Sequence, residues 1–267
     1  MGNNKTRDIF KIQVKSKVGH SKFTLVFVHG NSQNLHLWDH QLKTSLFDAF
    51  NRMAFDLPGH GDSMKLDNYQ IPFLVPILED IFNNLGSIVL VGHSLGGHLI
   101  LQSLPNIANC LGLVLIGTPP LKKPLNLNEA FAQDERMGLL FKDQLSPGEK
   151  KSMMDFIGCN NHPVAIGALE KTDPVFRTGI AHSISTGELS NEMDSLKTAD
   201  FPVAILAGEM DPLVNKEYLN KIGFSTLWKQ KVHYIPSSGH TPHLENSKAF
   251  NAVINEFVEE LLTNGAS

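Results

Sequence analysis

Three residues of types that together can activate a hydroxyl stand far apart in this chain: Ser94, Asp211 and His240. A serine hydroxyl is a weak nucleophile until a base takes its proton. A carboxylate behind an imidazole holds the ring in the right tautomer and stabilises the imidazolium. In that scheme Nε2 of His240 takes the proton of Ser94, and Asp211 orients the ring. Glu209, in Gly208-Glu209-Met210-Asp211-Pro212, is the rival acid. Asp211 is preferred, because an acid at a strand end needs a few loop residues to curl towards the histidine and Glu209 is too close to the strand. The chain has 12 histidines, so one near a strand end means little alone. The conjunction of the three means more. His243 is read as a loop or helix-start residue.

The segment around Ser94 carries the sharpest signal. Residues 88–92 read as a short buried strand, residues from 95 onward as a helix, and Gly92-His93-Ser94-Leu95-Gly96 as the turn between them. A turn that tight strains the serine backbone and lifts its hydroxyl clear of the sheet. Flanking glycines let strand and helix cross where a Cβ would collide. The helix start offers unpaired N–H groups to a forming oxyanion, that of Leu95 first. A second donor is expected from Asn31 in His29-Gly30-Asn31-Ser32, directly after a strand at 23–28, where Gly30 lets the backbone approach a substrate. The bland alternatives are an idle serine in a glycine-rich turn and a turn that merely caps a strand.

These residues need a frame, and the chain supplies alternating strands and helices. Residues 8–14 suit an edge strand and 19–21 a polar hinge. Residues 23–28 are nearly continuous apolar, as in a strand covered on both faces. Residues 35–50 have helical spacing, and 51–55 form the next strand. The rigid loop Asp56-Leu57-Pro58-Gly59-His60-Gly61-Asp62-Ser63 reads as scaffold, with His60 and Asp62 holding turns. A helix at 68–84 must place Pro72 and Pro76 in its first turns or at a kink. Further strands are expected at 111–116, 201–207 and 231–235, with helices at 215–222 and 245–262.

Between 121 and 198 no strand-like run appears, and helical spacing alternates with breakers: 128–141, a Ser146-Pro147 start, 150–157, 163–171 and 174–185. Such an insertion would sit over the nucleophile as a lid. Its Met137, Met153, Met154, Phe131, Phe141, Phe156 and Phe176 suit either an apolar acyl pocket or the lid's own packing core. The expected organisation is therefore a core at 1–120, a helical lid at 121–198 and a second part of the core at 199–267.

Composition excludes several classes. The chain has 267 residues, 42% hydrophobic and 19% charged, which suffices for a large core. A net charge of −4 and a pI near 6.3 leave no basic footprint for nucleic acid. Cys110 and Cys159 cannot form a disulfide framework; both are read as free buried thiols, which predicts a reducing compartment, the cytoplasm. No secretory signal or membrane span is evident. Met1-Gly2-Asn3-Asn4-Lys5-Thr6 fits a short myristoylation template, and one such chain anchors only marginally, so no stable membrane insertion is expected.

On His29-Gly30-Asn31-Ser32, the Asp56 to Ser63 loop, Gly92-His93-Ser94-Leu95-Gly96-Gly97-His98, Asp211 and Gly239-His240, the sequence resembles the α/β-hydrolase-fold serine hydrolases over essentially its whole length. The resemblance implies an α/β fold with a mostly parallel central sheet flanked by helices, an inserted helical lid and the chain order Ser94, Asp211, His240. A serine in the elbow argues against the haloalkane dehalogenases and epoxide hydrolases of this fold, which need an aspartate there. His-Gly-Asn-Ser, Leu-Gly-Gly-His and Gly117-Thr118-Pro119-Pro120 are more narrowly similar to the metal-independent N-acyl-homoserine lactonases. There the resemblance implies a glutamate as triad acid; Asp211 keeps the charge and shortens the reach. The clustered His-x-His-x-Asp-His of zinc lactonases does not occur, so no metal and no cofactor is expected.

Three functions are carried forward. The first is hydrolysis of a small-molecule ester or lactone with an acyl tail under the lid. The second is another chemistry on the same triad: thioester hydrolysis, acyl transfer or carbon–carbon cleavage. The third is a slow-turnover ligand-binding protein of the same fold, which an intact triad disfavours.

Overall fold

In a computed structural model, residues 11–159 and 162–263 are described; the Gly2 pattern lies outside them. Seven strands form one sheet: β1 (Val14–Lys17), β2 (Phe23–Val28), β3 (Asn51–Phe55), β4 (Ser87–His93), β5 (Cys110–Ile116), β6 (Val203–Gly208) and β7 (Leu227–Ile235). Their order across the sheet is β1-β3-β2-β4-β5-β6-β7. Only β1 runs antiparallel to its neighbour; the other pairings are parallel. This is the α/β-hydrolase fold that the motifs imply.

The continuous apolar runs follow from burial on both faces. Val26, Leu90, Leu113 and Leu115 point into one core, which includes Leu74, Leu78 and Phe82 of the helix Ile71–Asn83. Leu25, Phe27, Val89, Val91, Val114 and Ile116 point into the other, against Trp38 and against Phe250, Ile254 and Phe257 of the C-terminal helix Ser247–Thr263. With apolar layers on both sides, nothing in these strands needs to alternate.

The edge strand falls at Val14–Lys17, not at residues 8–14. It is held by backbone pairing of Val14 through Lys17 with Phe55 through Arg52, which requires no apolar pattern. Residues 11–13 instead run beside the 56–64 loop: Asp56 N donates to Gln13 O at 3.0 Å and Met64 N to Lys11 O at 3.2 Å.

Two helices also differ from expectation. The 68–84 helix begins only at Ile71, because the Asn68 side chain accepts from Gln70 N at 2.8 Å and closes a turn first; Pro72 then sits in the first turn and Pro76 inside. The expected helix over 128–141 splits into Leu127–Ala130 and a 3-10 stretch Glu135–Phe141. Phe131 between them is extended and bridges Val214, with Ala132 N donating to Leu213 O at 2.7 Å. Pairing with the loop that follows Asp211 overrides the local helical spacing. The rest of the stretch between β5 and β6 is helical at Pro147–Phe156, Pro163–Lys171, Pro174–Ser185 and Glu192–Thr198. The Pro147 helix opens with a capping box between Ser146 and Glu149.

Candidate active site

Ser94 joins β4 to the helix Leu95–Ser103 with φ 50° and ψ −122°, a backbone geometry that costs on the order of 1–3 kcal/mol and persists only where its surroundings impose it. They do. Ser94 N donates to Ile116 O at 2.8 Å, while Gly97 N and Thr118 Oγ1 donate to Ser94 O at 2.9 and 3.0 Å. The crossing is as tight as the glycines suggest: a Cβ on Gly92 would come within 2.6 Å of Gly97 Cα. On Gly96 it would lie 2.4 Å from His29 O, so the helix start rests against the end of β2. Leu95 and the 29–32 turn thereby meet at the C-terminal ends of the neighbouring parallel strands β4 and β2. Among the described residues neither Leu95 N nor Asn31 N donates to a protein acceptor.

At the neighbouring strand ends, His240 Nδ1 lies 2.8 Å from Asp211 Oδ2, and both side chains are almost completely buried. Asp211 Oδ1 accepts from Leu213 N at 2.8 Å and Val214 N at 3.2 Å. Burial alone would raise the Asp211 carboxyl, but the His240 ring beside it and the two backbone N–H groups outweigh burial and hold it below its ordinary value. His240 Nε2, also buried, has no hydrogen-bond partner among the described residues, Ser94 Oγ included. Catalytic hydrogen bonds are often open in unliganded sites, and an unpartnered base nitrogen is free to accept a proton. Glu209 is exposed, and its carboxylate makes only a 3.4 Å contact from Ser237 N and none with His240 among the described residues.

A buried network surrounds this pair. The His93 ring stands between His240 O at 2.8 Å and Gln33 Oε1 at 2.9 Å, and that same oxygen accepts from Gly30 N at 2.9 Å. Burial, reinforced by His240, pushes the His93 ring down to about 3, so it stays neutral. His60 accepts from Ser32 N at 3.2 Å and so ties its loop to the 29–32 turn, whereas the exposed Asp62 side chain pairs with Lys171 of the helical segment at 2.8 Å rather than within its own turn. His243 lies in the short helix Pro242–Glu245, stacked on Trp38 at 4.3 Å between ring centroids.

Ser94, Leu95 and Asn31 line a narrow cavity in which the space open to the centre of a water molecule is about 80 Å³. Phe131, Met137 and Phe141 line it too, whereas Met153, Met154, Phe156 and Phe176 are buried among other apolar side chains; the two readings of these residues divide between them. The helical segment is tied to the 29–32 turn by Asn31 Nδ2, which donates to Leu140 O at 2.7 Å, and by Arg177 Nη1, which donates to Ser32 Oγ at 3.2 Å. Arg177 Nε also donates to Lys142 O at 2.6 Å. Gln33 and Arg177 had no local sequence signal, since their partners are distant in the chain. Among the described residues no cluster of three or more His, Cys, Asp or Glu is set to hold a metal ion, and no helix is long and apolar enough to cross a membrane.

Comparison with known proteins agrees with this fold. The crystal structures of the N-acyl homoserine lactonase AidH, with N-hexanoyl homoserine lactone or N-butanoyl homoserine bound, superpose with a TM-score of 0.86 at 25% identity. For the first of these the likeness covers 94% of each chain. A Mycoplasma pneumoniae protein provisionally named esterase/lipase 2 is 25% identical over 275 residues, 96% of this chain and 97% of that protein. A 2-succinyl-6-hydroxy-2,4-cyclohexadiene-1-carboxylate synthase of Klebsiella pneumoniae is 24% identical, covering 86% of this chain and 91% of its own. Residues 25–253 match the profile described as the alpha/beta hydrolase family. The chain belongs to the alpha/beta hydrolase family.

Proposed function

We propose that this chain is a serine hydrolase that cleaves a carboxylic ester or lactone through Ser94, His240 and Asp211 by way of an acyl-enzyme. The observation that carries the reading is the buried His240–Asp211 pair at 2.8 Å, whose outer ring nitrogen is left without a partner. His240 Nε2 takes the proton as Ser94 Oγ attacks the carbonyl carbon, and Asp211 stabilises the imidazolium. The N–H groups of Asn31 and Leu95 receive the developing oxyanion. His240 then passes the proton to the departing alkoxide, which in a lactone stays tethered to the acyl group. Water, deprotonated by His240, attacks the acyl-enzyme, and collapse returns the proton to Ser94 and frees the carboxylic acid.

Residues 121–198 act as the lid over this reaction, with the apolar cavity beneath them taking the acyl chain. The likeness to AidH supports N-acyl homoserine lactones as the first members of the substrate class to try. The synthase relative favours a second reading, a non-hydrolytic reaction on the same three residues. A reducing compartment such as the cytoplasm suits the free buried Cys110 and Cys159.

A panel of esters, thioesters and lactones of graded acyl length, run in water labelled at oxygen, separates these readings. Hydrolysis places one labelled oxygen in the carboxylic acid product. Turnover that releases product without the label would move the chain to the second reading.

A further inference from the structure

Resting on that reading, we propose that Ser32 is a positioning residue of the oxyanion site: its hydroxyl carries a contact from buried Arg177 to Asn31 and so fixes the Asn31 N–H from outside the cavity. The starting observation is a conformation. Gln33 N donates to Gly30 O at 3.3 Å and closes a turn whose third residue, Ser32, has φ 57°. Glycine occupies such a position without strain, whereas a serine is held there against its preference. Strain of this kind persists only where the surroundings impose it, and it directs attention to what the side chain does that a glycine could not.

Ser32 is buried and is not among the residues that line the cavity beside Asn31. Its hydroxyl gives its one proton to Asn31 Oδ1 at 3.0 Å and accepts from Arg177 Nη1 at 3.2 Å. Asn31 Nδ2 donates to Leu140 O at 2.7 Å, so the Asn31 side chain is clamped at both ends.

Arg177, on the helix Pro174–Ser185, is itself fixed: Nε donates to Lys142 O at 2.6 Å and Nη2 to Asp143 O. One short run of the helical segment therefore grips the oxyanion turn twice, directly from Leu140 and through Arg177 and Ser32. An oxyanion donor works by being in place before charge develops, so loosening this grip costs the transition state rather than the bound substrate.

The test compares Ser32→Ala and Ser32→Gly on a short nitrophenyl ester. Both remove the hydroxyl, but only glycine also relieves the backbone, so the glycine variant should melt at the higher temperature of the two. The proposal expects kcat to fall by about tenfold or more in both, with KM within about twofold of wild type; a role confined to stability would return activity along with stability. Arg177→Leu should lower kcat likewise, and in the Ser32→Gly background it should add less than about twofold, since both act through one contact. A folded Ser32→Gly enzyme with wild-type kcat overturns the proposal, as does a Ser32→Gly, Arg177→Leu enzyme in which the two losses multiply; either leaves the hydrolase reading standing. Should Arg177→Leu fail to fold, the two Ser32 variants decide alone. If wild type does not hydrolyse the ester, the hydrolase reading fails and this proposal with it.

Discussion

Gly117 lies flat against the His240 ring: a Cβ built on it would come within 2.8 Å of Cε1 and 3.0 Å of Nδ1, and 3.4 Å from Asp211 Oδ2. Its φ of 55° is itself a conformation that side chains disfavour. The residue before it, Ile116, accepts from Ser94 N, so this turn sets the seat of the nucleophile and of the base together. Gly117→Ala should therefore lower kcat on a nitrophenyl ester by about a hundredfold, since displacement of a catalytic group by about 1 Å has that effect. Circular dichroism and a melting curve check that the fold survives. Full activity in the folded variant would detach His240 from the reaction.

The acid is tested by pairing two carboxyl substitutions. Asp211→Asn keeps the shape but removes the charge behind the ring and admits the wrong tautomer, for which a rate loss of roughly ten-thousandfold is the precedent. Glu209→Gln, at an exposed side chain outside the pair, should change kcat/KM less than about twofold. Inverted effects would transfer the acid to Glu209.

Stability should fall on mild acidification. Burial, with help from His240, puts the His93 ring at about 3, and burial chiefly lowers His29, His60 and His243 as well. These rings are neutral when folded and protonate once unfolded, so unfolding takes up protons and stability rises with pH. For His93 the contribution is complete above its ordinary value of 6.5 and lost as pH falls from there towards about 3. At about pH 5 the loss from this ring alone is about 2 kcal/mol. Urea unfolding between neutral pH and about pH 5 should show ΔG declining with a slope of more than one proton; a flat profile contradicts the neutral cluster.

Much of this was legible in the sequence, for identifiable reasons. Strands β2 and β3 fall on the expected residues because apolar runs between polar breakers are strong local signals, and Gly92-x-Ser94-x-Gly96 announces a turn whose crowding the backbone bears out. Val14–Lys17 was not legible, since an edge strand of VKSK is defined by backbone pairing alone. The break at Phe131 depends on Val214, and Glu192, the hydrogen-bond partner of His98, lies 94 residues away from it, so neither leaves a mark in local spacing. Arg177 reads locally as an ordinary helix residue; only the fold buries it and hands it Ser32 and Lys142.

The nucleophile is tested most directly by mass spectrometry of the chain after reaction with a fluorophosphonate ester, alongside turnover of a short nitrophenyl ester. The account predicts one phosphonyl adduct, on the peptide bearing Ser94, with activity lost in step with labelling and both absent in Ser94→Ala. An adduct on another residue that tracks the loss of activity, or a Ser94→Ala chain that still turns over the ester, would contradict it.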